Sequence, residues 1–145
     1  MSMIFIDPER GDPEGMVVIV TWDSISVEPA NDVTLTMLQE AVDGYIERVP
    51  LPDDIPVTMW VNEDGISREL PYNQITTKFY RDVWDAKGID TNNLHLFGTA
   101  VFTLSVGGQH SGEDGPIDID TAYNLAQTLV GSIQVEGPSF EQNGR

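Results

Sequence analysis

The chain has 145 residues, 24 acidic against 7 basic, a formal net charge of −17 and no cysteine. That length closes a hydrophobic core without staples and is too short for two independent domains, while the missing thiols exclude disulfides, thiolate metal sites and a cysteine nucleophile. A field of this sign repels nucleic acid and anionic membrane surfaces, and no apolar run approaches the roughly 20 residues that span a bilayer.

Met3 to Ile6 suits a short strand, and Asp7 to Pro13 a loop by its Pro, Gly and Asp content. The acidic, Pro-containing start lacks the basic and apolar regions of a secretory signal, so a cytoplasmic location is expected. Met16 to Trp22 holds a β-branched run suited to burial on both faces, and Ser24 to Glu28 extends it or pairs with it. After Pro29, Leu35, Leu38, Val42 and Tyr45 recur at the helical period, with Thr34 as N-cap and an end near Gly44. Tyr45 to Leu51 and Val57 to Asn62 read as strands, and Asn62-Glu63-Asp64-Gly65 as a turn from which Ile66 to Leu70 pairs back.

Ile75, Phe79 and Val83 then mark a helix ended by Gly88. Leu94 to Val106 is the longest strand candidate and the expected central one, with a bulge signalled at Gly98. Gly107 to Pro116 reads as a loop. Ala122, Leu125, Leu129 and Ile133 define a last helix over about 118–134, capped by Asp118 or Asp120, before a frayed tail over 136–145. Strands in a hairpin rather than in strict βαβ alternation predict one α+β domain over 1–145: an antiparallel-dominated sheet with two to three helices packed mainly on one face.

Four pieces within about 34–106 share an order and spacing: Leu35 to Glu47, Val61 to Gly65, Leu70 to Asn73, and Phe97 to Phe102. On these the chain resembles a phage and bacterial domain-of-unknown-function family, number 3846. Asp43 departs from the pattern where a second glycine is common, and the helix bearing Lys78, Arg81 and Trp84 is longer than usual. The C-terminal helix lies outside the resemblance. It implies a phage setting and an accessory role, with no agreed activity and no catalytic residue to carry across.

Two roles compete for the polar residues of these pieces. Asn62 and Asn73 suit turns and caps by bonding nearby backbone; alternatively Asn62, Glu63, Tyr72 and Asn73 converge as a polar pocket at one end of the sheet. Four of the seven basic residues, Arg68, Lys78, Arg81 and Lys87, fall in one segment. Lys78 and Arg81 share a helix face beside Trp84, which suits a nucleotide-like anion, or else they neutralise Asp82 and Asp85. Tyr80 and Trp84, if exposed, are interface anchors.

His95 reads as a structural strand histidine, and the His110 to Asp118 segment matches no calcium loop. No phosphate loop or Ser-His-Asp order is present, so no metal, cofactor or catalytic residue is expected. The acidity has three readings: a solubility bias, a surface for a basic partner, or DNA mimicry. Acids scattered in pairs do not reproduce a duplex's spacing of about one charge per 1.7 Å. The expectation is therefore a non-catalytic accessory protein that binds a host protein, with a nucleotide-sequestering binder and a DNA-mimic inhibitor as alternatives. No direct contact with nucleic acid or membrane is expected, and a twofold homodimer stays open.

Overall fold

A computed structural model describes residues 4–5, 15–106, 109 and 113–143. In chain order the elements are β1 (Ile4–Phe5), β2 (Met16–Val20), β3 (Ile25–Pro29), α1 (Leu35–Val42), β4 (Ile46–Val49), β5 (Val57–Asn62), α2 (Gln74–Asp85), β6 (Ala100–Val106), β7 (Glu113–Gly115) and α3 (Ile119–Asn143). The strands form one sheet in the order β1-β3-β2-β6-β5-β4, with β7 paired to β6. Every ladder is antiparallel except β1 with β3. The fold is α+β, and β6 is its central strand.

Side-chain alternation along the strands separates two apolar faces. Val18, Val20, Met59, Ala100 and Phe102 share one cluster with Ile75 and Phe79 of α2 and Ala122, Ala126 and Leu129 of α3. Val17 and Val101 point the other way and meet Leu38 and Val42 of α1. Two helices thus cover one face and the third covers part of the other. Each fully buried Val, Leu or Phe contributes about 1.5–3 kcal/mol relative to exposure.

Beside α1 that second face turns polar and is still buried. Thr58 and Ser105 share a hydroxyl hydrogen bond at 2.5 Å, the Trp60 Nε1–H donates to Thr103 Oγ1 at 2.9 Å, and the Thr103 hydroxyl donates to Asp114 Oδ1 at 3.1 Å. These bonds offset the desolvation that buried hydroxyls would otherwise suffer.

Local chemistry sets the helix ends. Thr34 Oγ1 accepts from the Met37 N–H at 3.1 Å, and α1 stops at Asp43, whose φ of 62° is left-handed. Asp118 Oδ2 accepts from the Thr121 N–H at 3.1 Å at the start of α3. Hydrogen bonds from the Thr121 side chain and backbone hold the Asp118 carboxyl below the usual carboxylate range. A carboxyl with a depressed folded pKa stabilises the fold above its unfolded pKa, and that stability is lost as pH falls through the folded pKa. Asp118→Ala is expected to lower the urea midpoint at pH 7, by an amount that shrinks as pH falls through the depressed folded pKa of the cap.

Several sequence expectations are corrected. Residues 66–69 form turns and Leu70 is irregular instead of continuing a strand, and β5 pairs with β4 and β6. The long strand candidate narrows to β6, because residue 97 makes only an isolated bridge to Tyr72. β7 occupies part of the expected loop between Gly107 and Pro116. α3 continues to Asn143, past the expected end near 134 and through most of the expected frayed tail. The loop expected over 7–13 and the side chain of His110 lie outside the described residues. Among the described residues no helix is long and apolar enough to cross a membrane.

Candidate functional site

The end of the sheet where β5 finishes and β4 and β6 begin is held by two buried asparagines. Asn62, 3% exposed, donates through Nδ2 to the carbonyls of Val42 at 3.0 Å and Asp43 at 3.2 Å, and its Oδ1 accepts from the Asp64 N–H at 2.7 Å. It therefore ties the end of α1 to the turn after β5. Asn73, fully buried, donates to the carbonyls of Val20 at 3.0 Å and Gly98 at 2.9 Å, while its Oδ1 caps α2 by accepting from the Thr76 N–H at 3.1 Å. Both amides are engaged with backbone, so the pocket expected around them takes its chemistry from other residues.

Two glycines allow the close contacts at this end. A side chain at Gly65 would bring its Cβ within 2.8 Å of the Phe97 carbonyl oxygen, so the turn lies directly on the segment entering β6. Gly98 has φ +88°, a backbone conformation that favours glycine, and its carbonyl is one of those Asn73 binds.

Between these parts lies a groove of about 320 Å³ lined by Glu47 of β4, Val61, Asn62 and Glu63 at the end of β5, the 65–67 turn, and residues 95–97. Glu47 pairs with Val61 across the β4–β5 ladder, so its side chain emerges on the groove side of the sheet. Ile66 is 72% exposed on the turn. The Tyr72 ring, which is not part of the groove lining, stands 5.8 Å from the His95 ring and 5.6 Å from the Phe97 ring, so a third ring packs on the two that line the groove. Arg81 Nη2 donates to His95 Nδ1 at 3.1 Å and to the Leu94 carbonyl at 2.9 Å. Because a guanidinium only donates, His95 Nδ1 is the acceptor. Carboxylates beside aromatic faces suit a lysine or arginine side chain.

The remaining expected site residues are dispersed. Lys78 pairs with Asp82 at 3.0 Å on one face of α2, and Arg81 also binds the Asn92 carbonyl at 3.1 Å. A second hollow, of about 310 Å³, includes Lys78 and Arg81 but also Asp82, Asp85 and Asp90, whose charge disfavours a phosphate group. Tyr80 is not an exposed anchor: it is 8% exposed, and burial raises its phenol pKa above the ordinary value. Trp84 is half-buried, 6.3 Å from the Tyr80 ring, and donates to the Pro50 carbonyl at 3.1 Å. Among the described residues no group of three or more His, Cys, Asp or Glu is arranged to hold a metal ion. Sequence reasoning missed Glu47, Ile66 and Phe97 as site residues and assigned His95 to structure alone.

No curated protein and no solved structure matches the chain. A family model described as Domain of unknown function (DUF3846) matches residues 12–117, which takes in β2 and β3 and therefore reaches well beyond the expected 34–106, while α3 lies outside it. The two asparagines, the 62–65 turn and Gly98 all fall inside that match, and with most of its length covered the chain belongs to the DUF3846 family.

Proposed function

We propose that the protein is a non-catalytic accessory protein that takes a basic segment of another protein in the groove between β4, the 65–67 turn and the Tyr72–His95–Phe97 trio. The observation that carries this reading is the placement of Glu47 and Glu63 in one groove with the His95 and Phe97 rings, on which Tyr72 packs, in a chain of net charge −17. The trio offers aromatic faces and the two carboxylates offer acceptors, so a cationic side chain gains from both. The surrounding negative field raises the encounter rate with a basic partner and disfavours acidic ones. In the phage setting that the family resemblance implies, the partner is a protein of the host cytoplasm and the effect is to alter host metabolism or defence.

Selection of binders from a displayed random peptide library tests the reading. Enriched sequences are expected to be rich in Lys and Arg, and their affinity to fall by about tenfold or more between low and high salt. Glu47→Lys combined with Glu63→Lys is expected to weaken the selected peptides by about 10–100-fold, since like charges then face each other. Both glutamates are exposed, so the double variant keeps the wild-type unfolding free energy within a few tenths of a kcal/mol. Neutral or acidic enriched peptides, or an affinity indifferent to the double variant, would remove the groove as the binding site.

A further inference from the structure

We infer that the basic segment docks as an extended strand along the outer edge of β4, with a lysine or arginine opposite Glu47; this rests on the groove reading above. Among the described residues β4 is the last strand of the sheet and pairs with β5 alone. The Glu63 N–H donates to the Tyr45 carbonyl at 3.0 Å, so the Tyr45–Glu63 pair is a hydrogen-bonded one. Antiparallel pairs alternate, and with Glu47 opposite Val61 and Val49 opposite Met59 the backbone groups of Glu47 and Val49 also turn toward β5. The N–H and C=O of Ile46 and Arg48 consequently point away from the sheet.

Pro50 closes the edge on one side, because it has no N–H and its carbonyl accepts from Trp84 Nε1 at 3.1 Å. The free edge is therefore short and runs beside the groove. A strand bonded to Ile46 and Arg48 places the residue opposite Glu47 in a non-hydrogen-bonded pair on the groove face, where Cβ atoms lie about 4.5–5.5 Å apart. From there a long cationic side chain lies between Glu47 and the groove that Glu63 also lines.

A second copy of the chain is a poor occupant of this edge. Antiparallel self-pairing that matches the outward groups of Ile46 to those of Arg48 sets Glu47 directly opposite its own copy, and like charges facing each other are destabilising. Two chains of net charge −17 also repel at a distance. A basic strand from another protein meets neither obstacle. Main-chain bonds along the edge supply affinity, and alternate side chains supply specificity.

The test uses the full-length protein, labelled with nitrogen-15, and a synthetic peptide that alternates lysine and valine, followed through the amide signals of Ile46 and Arg48. In the inferred register the lysines face Glu47 and the valine amides face β4. Methylating the valine nitrogens is expected to weaken binding by about tenfold or more, since bonds to the edge are lost. Methylating the backbone nitrogens of the lysines, which point away from β4, leaves binding intact. If both methylated peptides bind like the parent while the Glu47→Lys, Glu63→Lys variant abolishes binding, the edge inference falls and the groove reading survives. If the double variant also binds like wild type, both fall. A concentration-dependent dimer that shields the Ile46 and Arg48 amides would overturn the inference in favour of self-pairing.

Discussion

Asn73→Ala is expected to destabilise the domain by about 3–5 kcal/mol, measured as a fall in the urea midpoint with an unchanged slope. Its side chain is fully buried and satisfies the Val20 and Gly98 carbonyls and the Thr76 N–H. Alanine leaves three backbone groups without this partner in a region water does not reach, each costing about 1–3 kcal/mol, and removes the cap of α2, worth about 1 kcal/mol. The contributions overlap at Thr76, so the total is less than their sum. Asn73→Asp keeps an acceptor for Thr76 but sets a carboxylate against two carbonyl oxygens. Burial and those dipoles raise its folded pKa above the unfolded value of about 3.9. A raised carboxyl pKa means that Asn73→Asp recovers most, relative to wild type, below that unfolded pKa, and loses the recovery as pH rises through the folded pKa. A wild-type midpoint for Asn73→Ala would instead free this side chain for a ligand and restore the pocket role expected for it.

What the sequence reveals here tracks how local the physics is. Thr34 and Asp118 are recognisable as caps because each bonds an amide three residues ahead. The β-branched run of β2 and the helical period of α1 are local in the same way. The 62–65 turn is also legible, but its outcome is not. Its Asp-Gly step suggests a hairpin, whereas the chain enters further turns because Gly65 must pass against the Phe97 carbonyl, a contact between distant segments. The asparagines show the same limit: a turn-forming Asn and a buried one look alike until the sheet brings Val20, Gly98 and Asn73 together.

The groove itself was only partly visible. Glu63 and Tyr72 sit in recognisable turn segments, but Glu47 joins Glu63 only through the β4–β5 register, and Phe97 joins Tyr72 only through an isolated bridge. One missed signal was available. On α2 the buried positions are Ile75, Thr76, Thr77, Phe79 and Tyr80, a stripe wider than the spacing of Ile75, Phe79 and Val83 alone implies. Reading that wider stripe assigns Tyr80 to the core instead of to an interface.

Phe102→Ala is expected to cost about 3–5 kcal/mol, the upper range for truncating a buried aromatic side chain. Phe102 has no exposed surface, sits on the central strand opposite Val18 of β2 and Met59 of β5, and meets the Phe79 ring edge-on with centroids 5.5 Å apart. The cost depends on whether the surroundings can collapse into the space. Here β6 is held by ladders on both sides and α2 is fixed at its start by Asn73, so the cavity stays open. Against a typical domain stability of about 5–15 kcal/mol, this leaves a protein near its unfolding threshold. Phe102→Leu, which keeps much of the volume, is expected to cost roughly 1–2 kcal/mol. Urea titrations of the two variants read the difference directly, and a loss below about 1 kcal/mol for Phe102→Ala would show that α2 can settle onto the sheet.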